Sequence, residues 1–269
     1  VLAALALLPP FYPNYDPQLI IDTLGNWLGL AAWGAYLAYT RQPGFSVRRT
    51  RWTSIFHWFA ALPLPYWIWL VFDNRRPLDF GLPLALAALA WGMVSVGHGL
   101  GSLEMRYRRP WRWMGLIVSV VAPISAALIV HRGYTLGICL LLVGLLYFAD
   151  AFAAQRPRGL VPAGLVTAWG AMLLLDRAGV RSDPRIFILA LMAASYLSIG
   201  LWREFKKTAI HTFLLPLYRT AHFLAGLALL VVYLRAVDAY DWTDEMRLWA
   251  AAVHILLGAT YGLYAWGAY

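Results

Sequence analysis

Long apolar runs separated by short polar connectors recur from one end of the chain to the other. They cover residues 24–40, 53–72, 80–102, 113–130, 135–153, 159–176, 186–202, 217–235 and 246–267. Each run is 17–23 residues long. At about 1.5 Å per residue, a helix of that length crosses a hydrocarbon layer of about 30 Å. The pattern therefore predicts an all-α polytopic transmembrane bundle of about nine spans. No connector is long enough to fold as a soluble domain, so residues 1–269 read as a single membrane domain. The opening run, "VLAALALLPP" at 1–10, is too short to cross and reads as a partial helix, which suggests a segment of a longer chain.

Composition agrees with this pattern. The chain is 61% hydrophobic and 13% charged, about half the charged fraction of a soluble domain. The net charge of +9 would suggest nucleic acid in a soluble protein. Here no polar domain exists to carry such binding, so no nucleic-acid partner is expected. The single cysteine, Cys139, excludes an intrachain disulfide and a cysteine-based metal cluster.

The charges are sorted by connector. One set holds 13 basic residues, in 41–51, 106–112, 156–158 and 203–207, against Glu104, Asp150 and Glu204. The alternate set holds 8 arginines against 10 acids. Cytoplasmic loops carry the excess of Lys and Arg. Loops 41–52, 103–112, 154–158 and 203–216 are therefore expected on the cytoplasmic side of a prokaryotic-type inner membrane. Each outward-going span also starts at a basic residue: Arg51, Arg112, Arg158 and Arg219. A weak helical-hairpin repeat of about 46–61 residues follows from that spacing. These four arginines are expected to be interfacial anchors whose long side chains reach the headgroups. On this reading "EFKKTAIHTFLLPLY", which precedes Arg219, is a long connector lying partly in the interface.

Small residues four apart, at Gly25/Gly29, Gly97/Gly101, Ala194/Ser198 and Gly258/Gly262, predict helices inside the bundle. Tryptophans near span ends, among them Trp113, Trp202 and Trp249, fit an interfacial aromatic belt. His57, His98 and His222 all fall in the cytoplasmic third of their spans. Neutral imidazole is an axial ligand for haem iron, and "VGHGLGS" surrounds His98 with small residues. These three are the candidate cofactor ligands, although the sequence requires no cofactor and a membrane histidine more commonly bonds to a neighbouring helix.

No carboxylate lies in the middle of a span, and HExxH, P-loop and GxSxG patterns are absent from the sequence. No catalytic or metal-binding residues are therefore assigned. The function expected is that of a helical scaffold or subunit, partnered by the lipid bilayer and by other membrane subunits or the remainder of its own chain. Three alternatives stand beside it: a transporter or channel, a haem- or pigment-binding electron-transfer subunit, and a membrane transferase for lipid-linked substrates. The last would use external acids such as those of "DAYDWTDE".

Overall fold

The computed structural model describes residues 57, 58, 61, 64, 65, 68, 81–101, 105–129, 133–205, 211–238 and 243–267. Among them every regular element is helical. The elements are α1 (Gly81–Gly101), α2 (Met105–Ile129), α3 (Gly133–Ala153), a 3-10 turn (Pro157–Gly159), α4 (Leu160–Arg177), α5 (Ser182–Phe205), α6 (His211–Asp238) and α7 (Asp244–Gly267). All seven helices are long and apolar enough to cross a membrane, so the described residues form an all-α arrangement compatible with an integral membrane protein. The expected spans at 24–40 and 53–72 lie outside the described residues, apart from six helical positions between 57 and 68.

Two connectors differ from expectation. Residues 103–112 were expected as a loop, yet α2 is helical from Met105. Residues 203–216 were expected as a connector, yet α5 continues to Phe205 and α6 begins at His211. Hydropathy marks where lipid ends, whereas helical hydrogen bonding continues into the polar layer. Pro216 sits in the second turn of α6. There its missing N–H frees only one carbonyl, near the helix start, and the helix tolerates it.

The chain divides into two compact units, residues 1–122 and 123–269. In the first, α1 buries Leu86, Ala90, Met93 and Val94, a helical 3–4 spacing. A Cβ at Gly97 would lie 2.9 Å from the Arg112 backbone nitrogen, and one at Gly115 would lie 2.9 Å from the Ala90 carbonyl oxygen. Glycine on both partners lets these helices touch backbone to backbone.

In the second unit, α3 and α4 use the same device. A Cβ at Gly170 would lie 2.9 Å from both Gly137 O and Leu141 N, and one at Gly144 would run into Thr167. The central core joins Ala168 of α4, Leu189, Ala190 and Ala193 of α5, Leu224, Ala225 and Ala228 of α6, and Val253 and Leu257 of α7. Its alanines bring the helix axes close. A smaller cluster at the opposite end from the α4–α5 turn holds Ala151, Leu160, Phe213 and Leu217. Helix α7 rests chiefly on α5 and meets α6 only sparsely.

Helix ends are closed locally. Gly179, at φ +76°, follows α4. Its N–H donates to Asp176 O at 3.1 Å, and Val180 N–H donates to Leu175 O at 3.0 Å, which together form a Schellman closure. The α3 end repeats this with Gln155 at φ +52°, where Arg156 N–H donates to Ala151 O at 2.8 Å. Hydroxyls within the spans bond back to their own helix, Thr167 to Ala163 O at 2.7 Å and Thr260 to Leu256 O at 2.6 Å. No polar hydrogen from these two is left facing lipid.

Candidate functional site

The candidate ligand histidines are separated by the division of the chain. His57 and His98 belong to the first unit and His222 to the second. Trp111 Nε1–H donates to His57 Nδ1 at 3.1 Å, which places the proton of a neutral His57 ring on Nε2. In that arrangement Nε2 offers no lone pair to a metal. His98 is half-buried near the end of α1. His222 is exposed on α6, with Nδ1 2.6 Å from the Tyr261 hydroxyl of α7. Its ring stacks on Tyr261 at 5.4 Å and meets the edge of Tyr264 at 6.2 Å.

Of the four arginines expected as anchors, Arg51 lies outside the described residues. Arg158, in the 3-10 turn, and Arg219, on α6, are exposed. Arg112 is buried at 8% exposure, inside the α1–α2 contact. Trp113 and Trp202 are exposed near span ends, in keeping with a belt. Trp249 is half-buried instead, held against Phe187 at a ring separation of 5.5 Å.

The structure brings together residues that the sequence left apart. His254 of α7 has Nδ1 2.7 Å from the Ala250 carbonyl and Nε2 3.4 Å from the Tyr233 hydroxyl of α6. The α6–α7 seam thus carries two reciprocal His–Tyr pairs, each helix supplying one ring of each kind. Helical periodicity gives no sign of them, because the pairing depends on the register of two antiparallel helices. Gly226, Gly258 and Gly262 have open space where a Cβ would stand. The small-residue pair on α7, expected inside the bundle, therefore faces outward.

At one end of the second unit the connections gather in a charged layer. Arg181 pairs with Glu245 at 2.7 Å, Arg185 with Asp176, Arg235 with Asp183, and Arg247 with Asp244 at 3.8 Å. Three of the four pairs join different helices or connectors. The Tyr134 hydroxyl adds a bond from α3 to the Arg177 carbonyl at the end of α4. A legible signal preceded this layer: acids open α5 and α7, while arginines close α4 and α6, the placement that helix dipoles favour at their N-terminal and C-terminal ends.

Beneath this layer, α5, α6 and α7 line an open groove with room for about one water molecule. Ile186 and Val232 form two of its walls, and Met246, Trp249 and Val253 form the third. The Arg235–Asp183 pair is its polar edge. No family model matches the chain, and neither a curated protein nor a solved structure matches it.

Proposed function

We propose that the protein is a helical membrane scaffold, or a subunit of a larger membrane assembly, that presents the outer face of α6 and α7 to other membrane helices. Helix α7 carries this reading. Only 17% of its span lies inside the protein, against 28–44% for the other six. It nevertheless holds open glycines at 258 and 262, and an exposed histidine at 254. Open small residues let a second backbone approach closely in lipid, where dispersion contacts and not water drive association. The charge asymmetry of the connectors supports a cytoplasmic placement for 41–52, 103–112, 154–158 and 203–216. The recurrence of an arginine at the start of each outward-going span supports an origin in repeated hairpins.

The test is size in gentle detergent. The protein from its native membrane is expected to migrate as an assembly, and Gly258→Leu combined with Gly262→Leu is expected to break it. A wild-type monomer that conducts a solute in liposomes would overturn the scaffold reading in favour of a transporter or channel. Single cysteines at Arg49 and Asp241, labelled from either side of sealed vesicles in a Cys139→Ser background, decide orientation. Accessibility of the Arg49 position from outside only would reverse it.

A further inference from the structure

The two His–Tyr pairs of the α6–α7 seam stand as rungs about 10–16 Å apart at the helical rise. In the interval between them α6 carries Gly226 and α7 carries Gly258. Nothing lies within 4 Å of where a Cβ would stand on either. Gly226 follows His222 by one helical turn and Gly258 follows His254 by one, so each glycine shares the face of the histidine before it. The two helices meet only sparsely. Between its rungs the seam is therefore open as a shallow notch, free of side chains at these two positions.

The mouth of the notch, at the end away from the ion-pair layer, carries two donors. His222 is held in place: its Nδ1 lies 2.6 Å from the Tyr261 hydroxyl, and its ring packs on Tyr261 and Tyr264. A phenolic O–H is a stronger donor than a neutral imidazole N–H, so the hydroxyl donates to Nδ1 and the ring proton sits on Nε2. That Nε2–H has no acceptor among the described residues. Arg219, three residues earlier, is its neighbour on the helix surface. It is exposed and makes no ion pair or hydrogen bond among the described residues. Neither helix supplies an acid there, since α6 has none before Asp238 and α7 none after Glu245. A guanidinium beside an N–H donor is the chemistry that holds a phosphate. Its level identifies the source. Arg219 stands about 27 Å along the helix from Val237, the far end of the span, hence near the boundary of a hydrocarbon layer of about 30 Å. A phosphate at that level carries acyl chains, and Gly226 lies one turn further in.

We propose that the α6–α7 seam holds one phospholipid, its phosphate on Arg219 and His222 and one acyl chain in the notch past Gly226 and Gly258. The proposal goes beyond the scaffold reading and does not rest on it, because the site lies within one protomer.

The test is native mass spectrometry of the full chain, stripped of lipid in detergent and then given one of three probes. Phosphatidylglycerol has both parts, diacylglycerol only the chains, and glycerol 3-phosphate only the phosphate. Adducts are counted per protomer, so the reading is the same for a monomer and for an assembly. The wild type is expected to retain one phosphatidylglycerol and neither of the other probes. Arg219→Gln and His222→Phe are each expected to lower retention about tenfold, the ratio that corresponds to one charge-assisted hydrogen bond. Gly226→Leu, whose side chain enters open space, is expected to lower it at least as much with the melting temperature unchanged. Equal retention of diacylglycerol would reveal adventitious apolar binding only, and retention of glycerol 3-phosphate a site for free phosphate. Either result overturns the proposal. So does a wild type that retains no phosphatidylglycerol, or wild-type retention in Gly226→Leu or in both donor variants.

Discussion

His254 sets the direction of the Tyr233 hydroxyl hydrogen. The Nδ1 of His254 lies 2.7 Å from a carbonyl, that of Ala250, and a carbonyl only accepts. The proton of the neutral ring is therefore on Nδ1, and Nε2, 3.4 Å from Tyr233 Oη, accepts from the phenol. The long distance marks a weak bond, and membrane interhelical hydrogen bonds average about 0.6 kcal/mol. Tyr233→Phe is expected to lower stability by about that amount and His254→Leu by a similar one. A double-mutant cycle read by thermal unfolding in detergent checks the coupling. Strictly additive effects would show that the two rings do not interact.

Backbone contact predicts a sharper penalty. A methyl at Gly144 would collide with Thr167, and a methyl at Gly258 meets nothing. Gly144→Ala is expected to cost about 1–3 kcal/mol, the usual range for overpacking. Gly258→Ala is expected to leave the isolated protein unchanged. Similar melting temperatures for the two variants would contradict the close α3–α4 approach.

The two Schellman closures separate glycine from side chain. Gly179 sits at φ +76°, and Gly179→Ala is expected to cost about 1–2 kcal/mol, since an L side chain crowds its carbonyl there. Gln155 holds φ +52° while its amide donates to Phe152 O at 3.1 Å. Gln155→Gly relieves the same crowding but loses that bond, so the expected change is smaller than at Gly179 and of opposite sign. Denaturation curves of both variants in one detergent decide it.

Arg219 tests the anchor reading. It is exposed, 18 residues before Val237 in the same span, hence about 27 Å along the helix. That is close to one hydrocarbon thickness of about 30 Å. Arg219→Lys is expected to be silent because lysine also snorkels. Arg219→Leu is expected to affect orientation slightly and folding not at all. Loss of folding on the lysine change would mean that a bidentate guanidinium contact is required instead.

An absorption spectrum tests the histidines together. Protein purified with haem supplied is expected to be colourless. A Soret band that disappears in His222→Ala would establish a haem site and displace the scaffold reading with electron transfer.

The seven described spans were legible because transfer to lipid is decided residue by residue along a helix. Their ends were less so. α2 starts at Met105 and α6 at His211 because hydrogen bonding, and not hydropathy, ends a helix. Spacing alone also misread the glycines. Gly97 and Gly258 belong to the same four-residue pattern, yet one abuts the Arg112 backbone and the other faces open space. The difference lies in what stands opposite, which no single helix encodes. Arg112 shows the same limit: its position at a span start suggested headgroups, while the packing of α1 covers it. The Arg235–Asp183 pair and the groove beneath it needed three helices in place before any of their residues became neighbours.

The lopsided attachment of α7 has a mechanical consequence. Its main seat is α5, and α6 meets it through a few ring contacts, Tyr218 with Tyr264, His222 with Tyr261 and Tyr264, and Tyr233 with His254. The α3–α4 hairpin, in contrast, is zipped by glycines along its length. A force applied to the far end of α7 should therefore extract that helix whole before anything else yields. Force-extension curves from a tethered protein in a bilayer are expected to show a first step matching the 24 residues of α7, then larger steps at higher force. Among the described helices of the second unit, α7 is the one expected to leave first and alone.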